Sequence, residues 1–207
     1  KCLTNVQHEE LKPKGTAVGS SHIDLVGMWR LERTRQKSQR TFLTVLNLMR
    51  QYPEYRYSHS SPQLYKFLQQ DAPKIYDQVK GVVTAGDWEV LGGSWVEMDT
   101  LLPNGESLVR QVLYGKLFAR DEFNAHPKVL WMPDSFGYTG ILPTIMQAGG
   151  LEGFFTSVIS WSKFNRFPYD LFHWRGLDGS QVLVNFITTP AEFSRNYNYI
   201  GRLEPDD

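Results

Sequence analysis

The chain has 207 residues, with 22 Lys+Arg balanced by 22 Asp+Glu and an apolar share of 41%. Zero formal charge excludes a basic stripe large enough to make nucleic acid or an anionic membrane the default partner. The apolar share is enough for a buried core, which excludes global disorder, and no apolar run approaches the ~20 residues that cross a bilayer.

The predicted elements alternate along the chain. Thr16 to Ile23 is a short β-prone run after Pro13 and Gly15. Leu31 to Gln51 is helical, with Phe42, Val45, Leu46 and Met49 recurring at helical offsets before Pro53. Tyr55 to Ser58 is extended, and Gln63 to Gln70 and Lys74 to Ala85 are helices separated by Pro73. Gly86 suits a helix end, and Trp88 to Leu91 is a third strand. Pro103-Asn104-Gly105 is a turn from which Glu106 opens a helix to Phe123. Val129 to Met132 is a fourth strand and Ile141 to Ala148 a helix stopped by Gly149-Gly150; Phe154 to Ser157 and Val182 to Phe186 are further strands. Such alternation predicts an α/β fold, a mainly parallel sheet covered by helices, open or closed into a barrel. Chemistry then belongs to loops at the carboxyl ends of strands. Lys1 in place of Met and the polar stretch Arg202 to Asp207 read as the ends of a fragment, and Cys2, alone, has no internal disulfide partner.

Two strand ends carry the candidate chemistry. Alternate residues of an extended chain share a face, so His22 and Asp24 point the same way. Asp134 lies just past the fourth strand in Trp131-Met132-Pro133-Asp134-Ser135-Phe136-Gly137. One imidazole and two carboxylates at the open end of a parallel sheet suit a divalent metal such as zinc. A hydrogen-bonded loop for His22 and Asp24, or an Asx turn or cap for Asp134, is the plainer alternative. Glu97 and Asp99 repeat the alternation after Gly92-Gly93, and their simplest role is pairing with arginines such as Arg110. His59 and His173 flank strands and read as structural.

These blocks resemble the catalytic domain of α-mannosidases of glycoside hydrolase family 38. The resemblance rests on His22-Ile23-Asp24, Trp95-Val96-Glu97-Met98-Asp99, Leu102-Pro103-Asn104-Gly105-Glu106-Ser107 and Val109-Arg110-Gln111. It extends through Leu130 to Tyr138, Ser160-Trp161 and Trp174 to Ser180, with order and spacing kept from about Val18 to Phe186. It implies that residues 1–207 are the N-terminal part of a seven-stranded (β/α) barrel-like catalytic domain, truncated on its C-terminal side. It also implies zinc held by His22, Asp24 and Asp134, with a fourth ligand, a His, beyond Asp207. By the same resemblance Asp134 is the nucleophile of a retaining mechanism on terminal α-D-mannosyl residues, and Phe136 is a pocket aromatic that binds substrate. No match to the family's acid/base Asp is found. The partner implied is a mannose-containing oligosaccharide, and a homo-oligomer is compatible with the sequence. The His-Ile-Asp form resembles the bacterial and cytosolic branch, and with the single cysteine it implies a cytoplasmic location.

Several positions depart from the family pattern. Ser20 stands for a His, Gly27 for the aromatic under the mannose ring, Arg30 for a Pro, Leu101 for an Asn and Tyr169 for a His; Val158 stands for a basic residue and Ser162 for an Asn. Trp29 keeps the second aromatic. Loss of ring stacking removes about 1 kcal/mol of sugar binding, and loss of a charge-assisted donor a further ~1.5 to 3 kcal/mol. Weak mannose affinity is expected, and a non-catalytic relative keeping fold and metal is the alternative function. A metal-dependent polysaccharide deacetylase fits less well, because the five histidines contain no pair at helical spacing. Arg30, Arg33, Arg35, Lys37 and Arg40 are expected on a solvated helix face rather than at an RNA interface.

Overall fold

The computed structural model describes residues 17–161, 164–165 and 167–187. Thr16, Cys2, His8, Ser162 and the Arg202 to Asp207 stretch lie outside the described residues. Seven strands and five α-helices follow in chain order: β1 (Gly19–Ser20), α1 (Leu31–Gln51), β2 (Tyr57–His59), α2 (Pro62–Asp71), α3 (Pro73–Thr84), β3 (Trp88–Val90), α4 (Gly105–Phe123), β4 (Val129–Trp131), α5 (Leu142–Ala148), β5 (Gly153–Thr156), β6 (Leu171–Arg175) and β7 (Gln181–Phe186). A 3-10 turn, Val158–Trp161, follows β5.

The strands form two sheets, ordered β1-β2-β3 and β4-β5-β7-β6. All pairings are parallel except β6 with β7, an antiparallel hairpin closed by the turn Gly176 to Gly179. The two sheets adjoin where Trp131 N donates to Gly92 O at 3.1 Å. The mainly parallel α/β architecture is thus present, but as two sheets; among the described residues no closed barrel forms, because β1 and β6 remain sheet edges. The β-prone run at 16–23 contributes only two residues to a ladder, since after Ser20 the chain leaves β2 and becomes a loop. β6 is absent from the expected strands, although Leu177-Asp178-Gly179 between alternating apolar residues is a hairpin signal.

Helix ends follow local chemistry. Asn104 caps α4, its side chain accepting from Ser107 N at 2.9 Å, and Asn124 ends it in the left-handed region at φ 51°. α1 buries Phe42, Val45 and Leu46. Its basic face is solvated or paired rather than gathered: Arg35 reaches both oxygens of Asp71 at the end of α2, at 2.7 and 2.5 Å, and lies over Phe67. Tyr76 of α3 donates to Glu122 of α4 at 2.7 Å. No helix among the described residues is long and apolar enough to cross a membrane.

Among the described residues there are two apolar clusters, one per sheet. Phe42, Tyr57, Tyr65, Leu68 and Trp88 fill the first, beneath α1 to α3; Leu130, Met132, Leu142, Met146, Phe154 and Val184 fill the second. In the first, Trp88 Nε1 donates to the Tyr65 hydroxyl at 2.9 Å, which donates to His59 O at 3.2 Å. His59 is 2% exposed among Phe42, Tyr57 and Tyr65, and neither ring nitrogen makes a hydrogen bond among the described residues. Burial foremost, then the charge on His22, pushes its pKa from 6.5 down to about 3, while the Ser21 backbone acts weakly the other way.

The fold therefore holds His59 neutral. The stability tied to that form is complete above pH 6.5 and is lost as the pH falls from there toward 3. Urea melts at pH 7.5 and 5.0 are expected to show His59→Leu losing about 2 kcal/mol less than the wild type over that interval. Parallel pH dependence in the two proteins would contradict this account.

Candidate active site

The carboxyl ends of the parallel strands open into one cavity of about 1280 Å³. The loop after β1 brings His22 and Asp24 to its wall, and the loop after β4 brings Asp134 and Phe136. The loop after β3 brings Glu97 and Asp99. All four site residues expected from the sequence line this cavity, as does the stacked pair Trp131 and Phe155, whose ring centroids are 3.7 Å apart.

His22 lies between two carboxylates. Its Nδ1 is 3.1 Å from Glu97 Oε2 and its Nε2 is 3.3 Å from Asp134 Oδ2. The other oxygen of Glu97 accepts the backbone N–H of Asp134. Burial, the largest influence on the imidazole, lowers its pKa, but hydrogen bonds to Asp134 and Glu97 and their charges together outweigh it and raise it to about 10. The two carboxylates thus favour the protonated ring.

Asp24 is engaged differently. Its Oδ1 accepts from Gly27 N and its Oδ2 from Met28 N, both at 3.0 Å, so the carboxylate caps its own loop. A Cβ at Gly27 would meet Asp24 Oδ2 at 2.3 Å, so any side chain at position 27 displaces the carboxylate. Trp29 packs on α1, donating to Thr34 Oγ1 at 2.8 Å with Lys37 Nζ over its ring, and does not line the cavity. Phe136 is 73% exposed at the rim. Ser20 and Leu101 line the cavity, whereas Val158 is buried and does not, and Tyr169 is exposed.

The expected pairing of Glu97 and Asp99 with Arg110 is not what forms. Arg110 Nε pairs with Glu106 at 2.8 Å, one helical turn away, and Asp99 Oδ1 accepts from Leu101 N and Leu102 N in an Asx turn. The physical reason is the direction of the chain after β3. Gly92 and Gly93, at φ 117° and 69°, use backbone conformations that side-chain-bearing residues avoid, and they turn the chain toward the cavity. Trp95 N then donates to Gln111 O, and Val96 N to Gln111 Oε1. The alternation at Glu97 and Asp99 was the available signal; sequence alone did not show which partner each acid would meet.

Two further contacts stitch the loops of Glu97 and Asp134 together. Ser135 Oγ donates to Met98 O at 3.2 Å, and Thr100 Oγ1 donates to Gly137 O at 2.9 Å while accepting from Thr139 N. Behind them the Tyr138 hydroxyl donates to Ser135 O at 2.8 Å, and burial foremost pushes its pKa up to about 12.

Among the described residues no group of three His, Cys, Asp or Glu stands ready to hold an ion. The donor types nonetheless fit. His22 Nε2 and Asp134 Oδ2, at 3.3 Å, have the ~3.3 Å separation of two ligands on one tetrahedral zinc, and Asp24 lines the same cavity.

Residues 12–202 match the Glycosyl hydrolases family 38 N-terminal domain. Alpha-mannosidase G of Dictyostelium discoideum is 40% identical over 181 residues, 87% of this chain and 17% of that protein. Alpha-mannosidase 2C1 of Homo sapiens is 40% identical over 170 residues, 82% of this chain and 16% of that protein. The chain therefore spans about a sixth of the length of these relatives. Among solved structures, an alpha-mannosidase from Enterococcus faecalis V583 superposes with a TM-score of 0.71 at 23% identity, over 83% of this chain and 20% of that one, which establishes a shared fold.

The packing of α4 on the Glu97 segment is testable. A Cβ at Gly115 would meet Ser94 C at 2.3 Å and Trp95 N at 2.6 Å, both backbone, whereas Gly81 in α3 meets nothing within 4 Å. Gly115→Ala is expected to cost about 1–3 kcal/mol in urea melts, while Gly81→Ala stabilises by roughly 0.5–1 kcal/mol. Equal effects would refute the close approach.

Proposed function

The chain belongs to glycosyl hydrolase family 38, and on that premise we propose that it is the nucleophile-bearing part of an α-mannosidase. The reaction proposed is retaining hydrolysis of terminal α-D-mannosyl residues of oligosaccharides, with Asp134 as nucleophile. The single observation that carries the reading is the meeting of His22 and Asp134 at 3.3 Å on the wall of a sugar-sized cavity.

In this reading Asp134 attacks the anomeric carbon and forms a covalent mannosyl-enzyme, which water then releases. His22 orients one oxygen of the Asp134 carboxylate, and Glu97 fixes its backbone N–H. The Trp131–Phe155 pair forms an apolar wall of the cavity, and Phe136 stands at its rim to meet substrate. The acid/base carboxyl that protonates the leaving oxygen is assigned outside the described residues. His22, Asp24 and Asp134 would hold zinc. When bound, zinc supplies a Lewis-acidic charge toward sugar hydroxyls. The two sheets are read as part of the wall of a seven-stranded barrel-like domain.

A non-catalytic reading draws on Asp24, whose carboxylate is occupied by the Gly27 and Met28 amides where a sugar-stacking aromatic was expected. Turnover separates the two readings, and zinc content tests the ligand set. In the full-length protein, Asp134→Ala is expected to lower turnover of an aryl α-mannoside by about 10³-fold or more; wild-type turnover would remove the nucleophile assignment. Elemental analysis of Asp24→Ala is expected to show less bound zinc than the wild type, and an unchanged zinc content would remove Asp24 from the ligand set.

A further inference from the structure

We propose that Glu97 is the positioning residue of this site, holding the His22 ring and the Asp134 backbone with the two oxygens of one carboxylate. The inference rests on the reading of His22 and Asp134 as site residues and adds a third group to it. Three contacts form a closed circuit: Glu97 Oε2 to His22 Nδ1 at 3.1 Å, His22 Nε2 to Asp134 Oδ2 at 3.3 Å, and Asp134 N–H to Glu97 Oε1. An imidazole can turn about its Cβ–Cγ bond and exchange the positions of its two edges. The acceptor on Nδ1 sets that rotation, so Nε2 is left as the atom that faces Asp134.

The carboxylate is itself held. Glu97 is the least exposed of the three side chains, at 13% against 25% for His22 and 23% for Asp134. Its segment is tied to α4 by Trp95 N to Gln111 O at 2.8 Å and Val96 N to Gln111 Oε1 at 3.1 Å. On its other side Ser135 Oγ bonds Met98 O, joining the segment to the Asp134 loop. Glu97 is thus placed by backbone packing before it meets either partner. It touches His22 and the Asp134 main chain, and its part in the reaction runs through them. An acceptor behind a metal-binding histidine fixes ring orientation and raises ligand basicity, and its loss typically costs 10–100-fold in metal affinity.

The test compares Glu97→Gln and Glu97→Met in the full chain, with surface Glu106→Gln as control. Zinc affinity is measured by chelator competition, and the His22 ring by its ¹⁵N and N–H resonances in metal-free protein. Glu97→Met, of similar length but without a carboxylate acceptor, is expected to lose 10–100-fold in zinc affinity and the hydrogen-bonded Nδ1–H resonance. Glu97→Gln keeps one accepting oxygen and should fall between Glu97→Met and the wild type; Glu106→Gln should match the wild type. Wild-type affinity and an unchanged Nδ1–H resonance in both Glu97 variants would overturn the proposal. Should Glu97→Met not fold, the near-isosteric Gln variant decides by the same two readouts. Should the wild type bind no zinc, the metal reading fails on its own, and the metal-free resonance still decides whether Glu97 orients the ring.

Discussion

Because His22 meets a carboxylate at each ring nitrogen, three segments remote in sequence must arrive at one place. The loop after β1 supplies the ring, the loop after β3 supplies Glu97, and the loop after β4 supplies Asp134. β1 and β3 flank β2 in one parallel sheet, β4 begins the other beside Gly92, and the three strand ends open into one cavity. Two anions beside a cationic ring avoid burying a single uncompensated charge, which is the costly alternative in a partly dry cavity.

The precision of the site comes from backbone devices more than from the charges. Gly92 and Gly93 redirect the chain after β3, Gly115 lets Ser94 and Trp95 lie against α4, and Gln111 bonds the segment through both its main chain and its side chain. A carboxylate carried on a free loop would spend its interaction energy on its own ordering entropy. Here that ordering is shared with the packing of α4, so the hydrogen bonds of Glu97 can act on His22 and Asp134.

Much of the scaffold was legible in the sequence. The 3.6-residue recurrence of Phe42, Val45, Leu46 and Met49, and the punctuation of Pro53, Pro73 and Gly149, located the helices within a residue or two. Five strands were legible within two residues, whereas β1, only two residues long, is too short for period-2 alternation to accumulate. The hairpin strand β6 hid behind an alternation in which its partly buried residues are Phe172 and Trp174, a sparse pattern on an edge strand. His22, Asp24 and Asp134 were legible as a family pattern, and their common cavity follows from parallel topology. Glu97 was visible as an acid but not as a partner of His22, since local spacing offers Arg110 first. Only the turn at Gly92-Gly93 decides between them.

The same physical view joins two features that look separate in the sequence. Gly27 stands where a sugar-stacking aromatic was expected, and Asp24 has its carboxylate turned onto its own loop. A Cβ at position 27 would lie 2.3 Å from Asp24 Oδ2, so the two features are sterically linked. Without a side chain the loop folds close enough for the Gly27 and Met28 amides to take one lone pair on each oxygen. A carboxylate offers about four acceptor directions, so two bonds orient it without exhausting it. The Gly27 loop thereby gives the Asp24 carboxylate a fixed direction.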